Sequence, residues 1–138
     1  MELSNLFDFA SNKYRQLTYQ TEVLICEQMP RLSEHLFNNL QINLEIYTVR
    51  WFLSLFCIDL PIEYSAALFD LYLHEKTQVL VRVALTLLAR YQNDIMRTTD
   101  QEEVHRIMTS IHEDASLTRE TLPQFFKEAM SLDIPSQV

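Results

Sequence analysis

Not one of the 138 residues is glycine, and that absence constrains the fold more than any residue present. Average usage would supply about 7%. Without glycine, tight hairpin turns and the left-handed caps that commonly end helices lose their usual residue. The chain is therefore expected to be helical, with connections made by Asn, Asp, Ser, Thr and Pro. The same absence removes the glycine-rich phosphate cradles of dinucleotide and P-loop sites, so no nucleotide cofactor is expected. With 48% apolar content, a chain of this length can bury roughly two-thirds of its unfolded surface in one core.

Periodicity and capping residues predict about seven helices in a compact all-α array, with no competing strand alternation. A short apolar turn at residues 3–10 (Leu3, Leu6, Phe7, Phe9) precedes a helix from Ser11 to about Met29, striped by Tyr14, Leu17 and Leu24. Pro30 opens a short helix carrying Leu32, Leu36, Phe37 and Leu40. Asn43 then caps a segment from Leu44 to about Cys57 that is apolar around nearly its whole circumference, with Arg50 embedded in it. A helix without a polar face belongs inside a protein, and this one is expected to be the central strut. Pro61 starts the next helix, to about His74, with Ile62, Ala66, Phe69 and Leu73 facing inward. Thr77 to Met96 reads as the longest helix, striped by Leu80, Val83, Ala84, Leu87, Leu88, Tyr91 and Ile95. Thr99 to Glu102 has capping-box spacing, opening a helix with Val104, Ile107, Met108 and Ile111 inward. The last segment runs from Thr118 to Leu132. Residues 1–132 form one unit and 133–138 a polar tail.

The formal charge of −8 excludes the basic stripe that nucleic acid requires and the polybasic patch of a membrane-surface binder. Cys26 and Cys57, both in apolar helical contexts, give neither a disulfide framework nor a zinc spacing. With no leader or long apolar run, neither secretion nor membrane spanning is expected. His105 and His112 lie on one predicted helix face beside Glu102, Glu103 and Asp114; they read as a solvated face and not as a metal site. No Ser, Cys or His constellation suggests a nucleophile. Arg50 reads as a structural cation paired with Asp59, Asp70 or helix-end carbonyls, since an unpaired buried charge costs several kcal/mol.

The landmarks also fall in a specific order. Pro30-Arg31-Leu32 is followed by His35-Leu36, then Tyr47, then Trp51-Phe52-Leu53-Ser54-Leu55-Phe56, then Asp59-Leu60-Pro61, then Phe69-Asp70, then Val79-Leu80 and Val83-Ala84-Leu85. Over about residues 5–130 this string resembles the C-terminal half of the TBC domain, the helical module of Rab GTPase-activating proteins. Phe69 stands where that family usually has tryptophan. The resemblance implies a regulator of Rab-type small GTPases, cytoplasmic and either peripheral to membranes or within a large complex, acting in vesicle trafficking. It also implies that Pro30, Leu32, Leu36, Tyr47, Arg50, Trp51, Phe52, Phe56, Asp59, Pro61, Phe69 and Asp70 are scaffold residues of that fold.

Family catalysis is attributed to an arginine in Ile-x-x-Asp-x-x-Arg and a glutamine in Tyr-x-Gln-Gly. Here Ile111-x-x-Asp114 has Leu117 in the arginine position, and Tyr14-Arg15-Gln16 lacks the glycine. The chain is accordingly expected to bind a GTPase without accelerating it, with no catalytic residue, cofactor or metal. The alternative is a non-catalytic scaffold subunit whose exposed apolar face is covered by a protein partner.

Overall fold

The computed structural model of the chain describes residues 3–132 and residue 134, with side chains from residue 13 onward. Eight α-helices, α1 (Leu3–Gln28), α2 (Pro30–Ser33), α3 (Glu45–Leu53), α4 (Ile62–Glu75), α5 (Gln78–Arg90), α6 (Gln92–Met96), α7 (Gln101–Thr109) and α8 (Leu122–Met130), follow one another without a strand among the described residues. The expected all-α architecture is what the chain adopts.

Several boundaries differ from the expectation. The turn anticipated at residues 3–10 is the start of α1, which at 26 residues is the longest helix; the side chains of Leu3, Leu6, Phe7 and Phe9 lie outside the described residues. Beyond Ser33 the chain widens into a π-helical stretch, Glu34–Asn39, where the Leu40 amide donates to the His35 carbonyl at 2.9 Å. The predicted helix from Thr77 to Met96 is two helices, broken at Tyr91. Asp100, not Thr99, caps α7, its carboxylate accepting the Glu103 amide at 2.8 Å, the bond that satisfies an orphan donor of a first turn. The last helix begins four residues late, at Leu122. Of the expected polar tail, Asp133 and residues 135–138 lie outside the described residues, and Ile134 packs into the core.

The central strut is α5 and not the segment from Leu44 to Cys57. Nine of its 13 residues are buried, and α1, α3, α4, α6 and α8 all pack on it. Helix α3 is shorter than expected, ending at Leu53, and it does have a solvent face: Ile46 and Leu53 are 61% and 58% exposed. Its other face carries Tyr47, Thr48, Trp51 and Phe52, all buried. Burial of large aromatics outweighs burial of two aliphatics at the rim, since each ring removes 150–250 Å² from water.

After α3 the chain turns through Leu55 (φ 50°) and Phe56 (φ 63°). Left-handed backbone costs a non-glycine residue of order 1 kcal/mol or more, and the Phe56 side chain, fully buried and stacked on Trp51 at 5.4 Å between centroids, offsets it. Cys57 therefore lies in an exposed turn and not in an apolar helix, and Cys26 is exposed on α1.

Helix α4 turns the opposite side inward from the one expected. Tyr64, Ser65 and Leu68 are buried, whereas Ile62, Phe69 and Leu73 are 79%, 48% and 55% exposed and Ala66 is exposed as well. The Tyr64 hydroxyl decides the rotation: it donates to the Thr118 carbonyl at 2.9 Å and meets the Thr121 hydroxyl at 2.8 Å, while its ring packs edge-on to Phe125 at 5.3 Å. A buried phenol needs such a partner.

Candidate partner-binding site

The signature residues fall into two groups. Leu32, Leu36, Tyr47, Trp51, Phe52, Phe56 and Asp59 are buried, and all but Asp59 belong to the apolar core. Pro30, Phe69 and Asp70 are exposed, and Pro61 is half-buried. Arg50 is exposed as well. Its guanidinium donates to both Asp59 oxygens, at 3.0 and 3.1 Å, a bidentate pair. The cation is the wetter partner, its side chain 40% exposed against 1% for Asp59. Asp70 is not a partner of Arg50; it lies on the outer side of α4.

The aromatic group is anchored to α1 through polar contacts. Thr48 on α3 shares a 2.5 Å hydrogen bond with Thr18 on α1, and Tyr14 tilts against Phe52. His35 Nε2 meets the Thr98 carbonyl at 3.0 Å, holding the π-helical stretch against the end of α6.

A cleft of about 790 Å³ opens beside this group, lined by Ile42, Ile46, Tyr47, Asp100, Glu102 and His105 among others. A smaller hollow of about 400 Å³ continues past Asp100 and Glu102 to Glu103 and Arg106. The first turn of α7 supplies the acids, where they complement the helix dipole. Ile42, from the loop before α3, and Ile46 and Tyr47, from the first turn of α3, supply the apolar floor. Gln101 closes the cleft base by donating to the Leu40 carbonyl at 2.8 Å. Tyr47 reaches His105 Nδ1 at 3.1 Å across the cleft, and burial raises the Tyr47 phenol above its ordinary value. This arrangement suits a cationic side chain with an aliphatic stem. His112 is not on the face of His105, since α7 ends at Thr109 and His112 sits in a 3₁₀ turn. Among the described residues no group of His, Cys, Asp and Glu could hold a metal ion, and no helix is long and apolar enough to cross a membrane.

The sequence reading missed Arg82. From α5 it donates to the carbonyls of Ala129, Met130 and Leu132, at 3.3, 3.3 and 2.5 Å, clamping the C-terminal end of α8. An arginine inside an apolar helix was the available signal, but its partners lie 47 to 50 residues away. Arg90, about two turns further along α5, lies 5.0 Å from the Phe125 ring centroid.

The family model described as the Rab-GTPase-TBC domain matches residues 1–96. The chain belongs to this family. The match covers the helices that carry every signature residue. This TBC chain is 28% identical over 120 residues to mouse TBC1 domain family member 4, an alignment covering 87% of the chain and 9% of the relative. It is 32% identical over 79 residues to the human ecotropic viral integration site 5 protein homolog, covering 57% of the chain and 10% of the relative. The Caenorhabditis elegans Rab GTPase-activating protein eat-17 is 29% identical over 79 residues, again 57% of the chain and 9% of the relative. This TBC chain thus spans about a tenth of the length of these relatives.

Proposed function

We propose that this TBC chain is a regulator of Rab-type small GTPases that binds its GTPase without supplying catalytic fingers. The observation that carries the reading is family membership combined with the identity of the residues where finger echoes occur. An arginine finger contributes about 10³ to 10⁵ in rate by meeting charge that develops on the transferring phosphoryl group. Such a residue must stand free to reach a partner's active site. Gln16, in the glutamine position, lies within the continuous helix α1 and is followed by Leu17 where the motif has glycine. Leu117, in the arginine position, is buried at 6% exposure. These placements support a chain without fingers, and family membership supports the binding role.

Two measurements test it. GTP-loaded Rab proteins immobilised and presented with the chain should retain it, and no retention by any of them would overturn the proposal. Single-turnover hydrolysis should proceed at the intrinsic rate in its presence, and strong stimulation would remove the non-catalytic part.

The second reading is a scaffold subunit held in a larger assembly. The observation favouring it is the exposed face of α4, because contiguous apolar surface on a folded chain marks an interaction site. A monodisperse monomer that joins no complex would count against it.

A further inference from the structure

Four apolar side chains face outward along one side of α4. Ile62, Ala66, Phe69 and Leu73 are spaced four, three and four residues apart, and all are exposed. At 1.5 Å per residue the row is about 16 Å long, three helical turns. This is the i, i+4, i+7, i+11 pattern of a helix presenting an apolar seam, and α4 already satisfies its inward seam with Tyr64 and Leu68. A helix with two apolar seams has a face left over.

What would cover that face is indicated by its charge. Glu63 and Asp70 lie on the same flank of the row, seven residues apart, and both are exposed. Across its 14 residues α4 carries Glu63, Asp70 and Glu75 with only His74 as a potential cation. Glu63 pairs with Arg119 at 3.8 Å, itself 81% exposed, a pair that contributes little, and the cation adjoining the helix is Lys76 at its C-cap. Asp70 has no ion-pair partner among the described residues. A second copy packed through this face would bring another acidic flank with it, and an anionic bilayer would be repelled by the same carboxylates.

We propose that the outer face of α4 docks an amphipathic helix of a partner protein whose apolar stripe is bordered by Lys or Arg. The apolar row supplies the buried contact and Glu63 and Asp70 set the orientation. This deepens the scaffold reading by stating the partner's chemistry, and does not depend on whether the chain engages a GTPase.

The test uses the whole chain and, as probe, a synthetic leucine–lysine amphipathic helix of about four turns, with a leucine–glutamate helix as its counterpart. The leucine–lysine peptide should bind, with backbone amide shifts concentrated in residues 62–75. The leucine–glutamate peptide should bind at least about tenfold more weakly. Glu63→Lys with Asp70→Lys should weaken the first peptide about tenfold, whereas Glu27→Gln, an exposed acid on α1, should leave it unchanged. Phe69→Ser with Leu73→Ser should weaken it by about tenfold or more at unchanged melting temperature. Equal binding of both peptides, no binding of either, or shifts centred on α7 would overturn the proposal. So would concentration-dependent dimerisation abolished by Phe69→Ser, or adsorption to phosphatidylserine vesicles in preference to the peptide. Because no GTPase is present, failure here leaves the GTPase-binding result standing, and the reverse also holds.

Discussion

Helices α4 and α5 are neighbours in sequence, pack against each other, and are both rich in apolar residues, yet α5 has nine of 13 residues buried and α4 three of 14. Position in the array makes the difference. Helix α5 has helices on every side, so even its Thr86 is inside, and its arginines reach out along α8. Helix α4 packs chiefly against α5 and has one covered side. Apolar content therefore reports how much a helix could bury, whereas burial reports how many neighbours it has.

That contrast can be broken by mutation. The largest effect is expected in α5: Leu88→Ala, at a site with no exposure, should cost about 3 kcal/mol of unfolding free energy in denaturant titration, as buried leucine truncations do. A loss below about 1 kcal/mol would mean that α5 is not the centre of the core.

Next comes the ion pair that fixes the turn between α3 and α4. Removing Arg50 strands a carboxylate that is 1% exposed, whereas removing Asp59 leaves a cation already 40% exposed. Arg50→Ala should therefore cost about 2 kcal/mol and Asp59→Ala distinctly less. Equal losses would show that the pair is wetter than its geometry indicates.

A smaller effect belongs to the break that ends α5. Tyr91 donates to the Asp114 carboxylate. Burial alone would raise the Asp114 carboxyl, but bonds from Tyr91 and Ser116 hold it below its ordinary value. Burial raises the Tyr91 phenol, and its bond to Asp114 raises it further. The signs differ. A lowered carboxyl gives stability that is present above its unfolded pKa and lost as pH falls through the native one, in the acid region below about 4. A raised phenol gives stability that is present below about 10 and lost as pH rises beyond it. Tyr91→Phe should cost about 1 kcal/mol at neutral pH and flatten both arms of the stability–pH curve. An unchanged acid arm would remove Tyr91 as the cause of the Asp114 shift.

The smallest effect should come from the outer face of α4. Phe69→Ala, at 48% exposure, should change stability by no more than about 0.5 kcal/mol. A loss comparable to Leu88→Ala would put the face in contact with something, most simply a second copy.

Particular residues show how far the sequence reached. The order Leu32, Leu36, Tyr47, Trp51, Phe52 and Phe56 identified the family, because large apolar residues at fixed intervals are written directly into the chain. Asn43 was legible to within one residue: the cap position of α3 is Leu44, and the Asn43 side chain just before it accepts the Glu45 amide at 3.1 Å, a local bond. Phe69 was misplaced. In α4 two apolar rows of equal helical period compete, and choosing between them needs Thr118 and Thr121, which bond Tyr64 from more than 50 residues away. The acidic cleft escaped detection for the same reason, its floor and wall meeting through Tyr47 and His105, 58 residues apart.

The chain alone determined that it is helical, through the lack of glycine and the 3.6-residue spacing of its apolar residues, and which family it joins, through the order of its aromatic and proline landmarks. Tertiary structure decided which helix lies at the centre, which side of α4 meets water and where Arg82 finds its carbonyls. Periodicity and capping depend on residues within a turn of one another, whereas burial depends on what arrives from the far end of the chain.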